Sequence, residues 1–147
     1  MFRFDLEAVL NFRVQIEEQC QLEFSDALNR LQAARVVLED LKKEKKDMIR
    51  QLIKIQENAV NSDVIQRHFA FIEYLKCKEE KQRAVICKME EEAEAKRHAL
   101  LEAIKKRKVM ETLREKKKAE YLLEMATKAR KELDDFTIIK FAHGLRR

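Results

Sequence analysis

Ahead of Gly144 the chain has almost no means of making a tight turn: it contains no Pro, and Gly144 is its only Gly. Tight turns depend on residues that tolerate positive φ or fix φ at about −65°. A compact core made by repeated folding back is therefore excluded. Glu, Lys, Leu, Ala, Arg and Gln dominate, and these lose little side-chain freedom in a helix. With 40% of 147 residues charged, the expectation is an all-α protein whose long helices bury only a stripe.

Alternating steps of four and three residues from Leu6 visit Leu10, Arg13, Glu17, Cys20, Phe24, Ala27, Leu31, Ala34, Leu38, Leu41, Lys45, Met48, Leu52, Ile55 and Ala59. Thirteen of these sixteen positions are apolar, a heptad phase without a skip. Asp5 is placed to cap the helix, with Phe4 stapled to Val9. The phase ends in NAVNS, where Asn61 can take a left-handed helix-terminating conformation and Asp63 with Gln66 resembles a capping box. The expected architecture is a long two-helix antiparallel coiled-coil hairpin forming a single domain over 1–147. Helix 1 is expected over about 5–59, a turn at about 60–63, and helix 2 over about 63–143.

The second seam is read as Ile86, Met89, Ala93, Lys96, Leu100, Ala103, Arg107, Met110, Arg114, Lys117 and Tyr121, more polar than the first. Folding at residue 61 sets position i roughly opposite 122 − i, so Phe4 lies near Lys118. Everything after Tyr121 becomes a C-terminal helical overhang, leaving Phe136, Ile138, Ile139 and Phe141 without an intramolecular partner. A second apolar excess follows the turn in HFAFIEYL, where helical spacing sends Phe69 and Ile72 one way and Phe71, Tyr74 and Leu75 the other.

Chemistry is hard to place on such a chain. One Gly cannot build a phosphate-cradling loop, and His68, His98 and His143 lack metal-ligand spacing with one another or with Cys. Cys77 and Cys87, about 15 Å apart on a helix, are beyond disulfide reach, and with Cys20 they read as half-buried thiols. No catalytic residue, cofactor or metal is expected. The acidic N-terminus MFRFDLEAVL is unlike a secretory leader, and no uncharged run approaches about 18 residues, so a cytosolic chain without membrane insertion is expected.

From Lys96 to Lys118 ten basic residues face three acidic ones, enough to neutralise several phosphates. This window has no Phe, Tyr, Trp or Asn to read or stack bases. Its charges are read as a solvated or partner-facing surface, with no nucleic acid.

FRFDLEAVLNFRVQIEEQC at the start, with Phe4, Leu6, Leu10, Arg13, Glu17 and Glu18, resembles the opening of the FliJ family of soluble flagellar export proteins. LLEAIKKRKVMETLREKKKAEYLLEMATKARKELDDF resembles that family's C-terminal pattern through Leu101, Lys108, Glu111, Leu113, Lys116, Tyr121, Lys131, Leu133 and Asp134. The resemblance implies a stalk of a hexameric flagellar export ATPase ring. It also implies a bridge to the membrane-embedded export gate and an escort of export chaperones. Its place would be cytoplasmic, peripheral to the inner face of the membrane at the flagellar base.

The implied ATPase-facing residues are Phe4, Leu6, Leu10, Arg13, Lys108, Glu111, Lys116, Tyr121, Lys131, Asp134, Phe136 and Phe141. The implied gate-facing residues are Leu41, Phe71 and Leu75, while Glu44 and Met48 stand where the family often has Tyr. A stalk of a virulence-type secretion ATPase and a purely structural homodimeric coiled coil are the two alternatives.

Overall fold

The structure, a computed structural model, describes residues 1–58 and 61–145. Two helices account for its regular structure among these: α1, Glu7–Glu57, and α2, Ser62–Gly144. They pack antiparallel as a helical hairpin, as the sequence predicts. Contacts divide the chain into two compact units, Glu18–Leu101 and Met1–Glu17 with Glu102–Arg147.

In the unit Glu18–Leu101, Leu31, Ala34, Ile86 and Ala93 form a buried cluster flanked by Ala27, Leu38 and Met89. Alanine on both helices at this level leaves little between the backbones, so the large side chains fit beside them rather than against one another. Leu52, Ile72 and Leu75 add a second buried group. Burial on α1 follows the expected alternation, since every seam position from Cys20 to Ile55 is buried or half-buried. Ala59 of that seam and Val60 of the expected turn lie outside the described residues.

Polar groups fix how the two helices align in this unit. Glu79 is buried and accepts from Lys45 Nζ on α1 at 2.5 Å and from Arg83 Nη2 on its own helix at 2.7 Å. Gln82 Nε2 donates to the backbone carbonyl of Ala34 at 2.9 Å. Lys96 reaches Glu23 at 2.8 Å and Arg35 reaches Glu90 at 3.0 Å. The paired numbers 45 with 79, 35 with 90 and 23 with 96 follow the expected antiparallel register to within a few residues.

In the other unit, Phe4, Leu10 and Ala103 are buried. Arg107 is shared between Glu17 on α1 and Glu111 on its own helix, and Arg114 meets Glu7 at 3.5 Å. The rings of Phe2 and Tyr121 lie 5.7 Å apart, centroid to centroid. Beyond that pair α2 continues alone, and every residue from Leu122 to Leu145 is exposed. The expected C-terminal overhang is present.

Several local expectations need correction. Asp5 precedes the helix by one residue more than a cap does: Leu10 N–H donates to the Leu6 carbonyl and Glu7 N–H to that of Phe4, which makes Leu6 the boundary residue. Leu6 is consequently 42% exposed, because helical phase does not yet govern it. Phe4 is buried while Val9, its expected staple partner, is 39% exposed, and Phe4 lines a recess together with Leu113, Lys117 and Tyr121.

At the other boundary Asn61 belongs to the start of α2, its carbonyl accepting from Val64 N–H, and Asp63 sits inside the first turn, where a negative charge favours the helix dipole. Ile72 and Leu75, three residues apart, share the buried side, while Phe69 is 50% exposed. The seam claims positions 72 and 75, and position 69 falls just outside it. Cys77 and Cys87 are exposed, and only Cys20 is half-buried.

Leu75 carries the tightest packing, at 2% exposure. Leu75→Ala should destabilise the hairpin by about 2 kcal/mol, the lower end for buried leucines because a two-helix seam can close over the gap. Leu123→Ala, at a 70% exposed position, should change stability by under about 0.5 kcal/mol. Denaturant titration followed by circular dichroism distinguishes the two.

The hydrogen bonds from Lys45 and then Arg83 hold the Glu79 carboxyl down at about 2, against an ordinary 4.5. A depressed carboxylate contributes stability that is complete above pH 4.5 and is lost as pH falls towards 2. Glu79→Gln should therefore lower the melting temperature at neutral pH and flatten its decline across that acid window. Equal slopes for the two proteins would contradict this assignment.

Candidate interaction surface

A helical hairpin encloses no cleft, and the recesses along it are shallow concavities between side chains. Among the described residues no group of three or more His, Cys, Asp or Glu is placed to hold a metal, and no helix is long and apolar enough to cross a membrane. What the molecule offers a partner is surface. Two parts of that surface are unusual, and each belongs to a different unit.

The first is the overhang of α2. If the seam alternation continued past Tyr121 it would use Glu124, Lys128, Lys131 and Asp135, all charged. The apolar residues instead follow an alternation of four and three that lies one to two residues beyond each seam position: Leu122, Ala126, Ala129, Leu133 and Phe136. Each residue is about 100° of helix rotation, so a stripe displaced by one to two residues looks away from the side that faces α1. Leu122, Leu133 and Phe136 are 57%, 66% and 58% exposed. Lys140 lays its ammonium over the Phe136 ring at 5.2 Å, a contact that keeps the charge wet while covering part of the ring. Farther on, Thr137, Lys140, Phe141 and Leu145 line a recess at the helix end.

The basic stretch before the overhang is less free than its charge count suggests. Of its eight Lys and Arg between Leu100 and Tyr121, Lys105, Arg107, Arg114 and Lys117 are held in ion pairs with Glu102, Glu17 and Glu111, Glu7, and Glu120 respectively. Lys106, Lys108, Lys116 and Lys118 make none among the described residues. Glu17 and Glu111 also keep the Arg107 guanidinium further in its charged form than usual.

The residues implied as ATPase-facing divide between these settings. Lys131, Asp134, Phe136 and Phe141 are exposed on the overhang, and Lys108 and Lys116 are exposed before it. Arg13, Glu111 and Tyr121 are half-buried, Glu111 holding Arg107 and Tyr121 against Phe2. Phe4 and Leu10 are buried in the hairpin itself, so their side chains contribute to that end by packing it rather than by facing outward. The unit brings Phe4, Leu6 and Tyr121 around one recess.

The second surface lies on α2 shortly after the turn. Phe71 and Tyr74 pair at 6.0 Å with tilted rings, and Lys78 sits over Tyr74 at 4.8 Å. Phe69 and Tyr74 are half exposed. Of the gate-facing candidates, Phe71 and Leu41 are half-buried and Leu75 is buried, which leaves Leu75 as the support of this patch. Phe69 was singled out from the sequence among the apolar residues after the turn, whereas Lys78 was not. Its position four residues beyond Tyr74, one helical turn, is the signal that could have found it.

No curated protein matches the chain significantly. Among solved structures it is similar to a YscO homologue from Chlamydia trachomatis, with 22% identity, a TM-score of 0.56 and full coverage of both chains. That likeness extends the hairpin architecture to a second protein. A family model described as the flagellar FliJ protein matches residues 2–146, and with the hairpin, its overhang and nearly the whole length accounted for, the chain belongs to the FliJ family.

Proposed function

We propose that this FliJ-family chain is a non-enzymatic stalk for a hexameric flagellar export ATPase, and that it couples the ring to the membrane export gate and escorts export chaperones. The observation that carries the reading is the overhang: a single helix with large exposed apolar residues, projecting beyond Phe2 and Tyr121 where no other segment covers it. A helix of this kind suits insertion into a pore formed by other subunits, where contacts come from all sides. Apolar residues around its circumference, including Leu123, Ile138 and Phe141 as well as the displaced stripe, would be wasted on a flat partner. The free lysines Lys108 and Lys116 add attraction to an acidic rim.

The aromatic patch of Phe69, Phe71 and Tyr74 is assigned to the export gate in this reading. Three aromatic rings, one of them with the polar tip of Tyr74, set on a helix and backed by buried Leu75, have the character of interface anchors. The protein would then work in the cytoplasm, held at the inner face of the membrane by its partners.

The test is the cognate export ATPase. Full-length chain should bind it and raise its ATP turnover or its assembly into rings. Removing residues 122–147 should abolish the stimulation, while Phe71→Ala with Tyr74→Ala should leave it unchanged and weaken capture of the gate protein. A full-length protein that neither binds nor stimulates the ATPase would rule out the stalk reading.

A further inference from the structure

Between Ala126 and Thr137 the overhang carries its charges in two blocks. Lys128, Arg130 and Lys131 come first, and Glu132, Asp134 and Asp135 follow directly. All six are exposed, and no ion pair joins them among the described residues. A helix with a basic half followed by an acidic half is complementary to itself when a second copy runs in the opposite direction. We propose that the overhang is a self-association surface through which two copies of this chain pair antiparallel.

The apolar stripe supports the same alignment independently of the charges. In an antiparallel pair centred on Lys131, Ala129 of one copy faces Leu133 of the other, and Ala126 faces Phe136. Each large side chain meets a small one, and twofold symmetry repeats each contact. In that alignment Lys128 lies beside Glu132 of the second copy on one flank, and Arg130 lies beside Asp134 of the second copy on the other. A parallel arrangement would set Phe136 against Phe136 and each charge block against its own kind. The displacement of the stripe from the hairpin seam matters here. The second copy approaches on a side that α1 does not face, so pairing leaves the Phe2 and Tyr121 contact intact.

The interface is short. Leu122 to Lys140 spans about 28 Å of helix, and its few large residues make a weak dimer that forms at high concentration. The helix is already in place before association, so little ordering entropy opposes it.

Sedimentation velocity of the full chain from about 1 to 300 μM, at low and high salt, tests the proposal. A monomer that converts to a dimer as concentration rises, and less readily at high salt, is expected. Glu132→Lys with Asp134→Lys should stay monomeric alone, and so should Lys128→Glu with Arg130→Glu. Their equimolar mixture should recover a dimer at least as tight as the unaltered protein's. Nitroxide labels at Glu124→Cys, in a chain with the native cysteines replaced by Ser, should read about 20 Å apart in the dimer, whereas parallel helices would bring them to about 10 Å. A chain that remains monomeric throughout, a dimer indifferent to the charge variants, or the shorter label distance would overturn the proposal. Circular dichroism on each variant separates loss of pairing from loss of helix.

Discussion

Two helices in contact can each hide only a stripe, and the rest of this structure follows from that restriction. A seam position has to be apolar, or polar with its partner supplied across the interface, because nothing else will cover it. Lys45 and Glu79 occupy such positions and satisfy one another, with Arg83 completing the carboxylate's bonds. Arg107 does the same work between Glu17 and Glu111. A purely apolar stripe could slide by one heptad and remain buried. With Glu79 moved away from Lys45, a buried carboxylate would lose its largest source of stabilisation. The polar residues in the seam therefore select one alignment among several that the apolar ones would tolerate.

The same restriction explains the division of labour within α2. Where α1 lies alongside, the helix commits one face to the hairpin and leaves its charges to pair locally or across. Past Tyr121 that commitment ends and a different face turns apolar. A chain selected only to lengthen its coil would have kept the phase. The offset of one to two residues sets the overhang's apolar stripe apart from the hairpin seam.

The architecture was readable because it depends on periodicity and on the scarcity of turn residues, both of which are visible in a single sequence. Cys20, Leu31, Ala34, Leu52, Ile86, Ala93 and Ala103 all fall where a three-and-four alternation puts them. The overhang followed from subtraction, once the turn was placed near residue 61. What escaped were features governed by the exact boundary or by partner choice. Leu6 kept its place in the pattern but lies one residue outside the helix, where the pattern no longer applies. Phe4 could staple to Val9 or pack across the hairpin, and the sequence does not show that it lines a recess shared with Leu113 and Tyr121. Helical spacing grouped Ile72 with Phe69 and set Leu75 on the other side, yet the seam buries Ile72 and Leu75 and leaves Phe69 half exposed. Glu79 carried no mark of burial in a chain with so many glutamates, and its role emerges only from the approach of Lys45.

The hairpin register also sets an order of assembly. Lys45 and Glu79 are 34 residues apart along the chain, whereas Glu17 and Arg107 are 90 apart. Bringing the nearer pair together from an open chain costs about 0.9 kcal/mol less in loop entropy, and once it has formed, each later contact closes a shorter remaining gap. Folding thus zips from the turn outward, unhindered by prolyl isomerisation in a chain without Pro. On this loop-entropy argument the contacts of Phe2 and Tyr121, farthest from the turn, are expected to form last. A partner that grips the overhang therefore takes hold beside the last-formed end of the hairpin, and its binding energy is available to clamp that end shut.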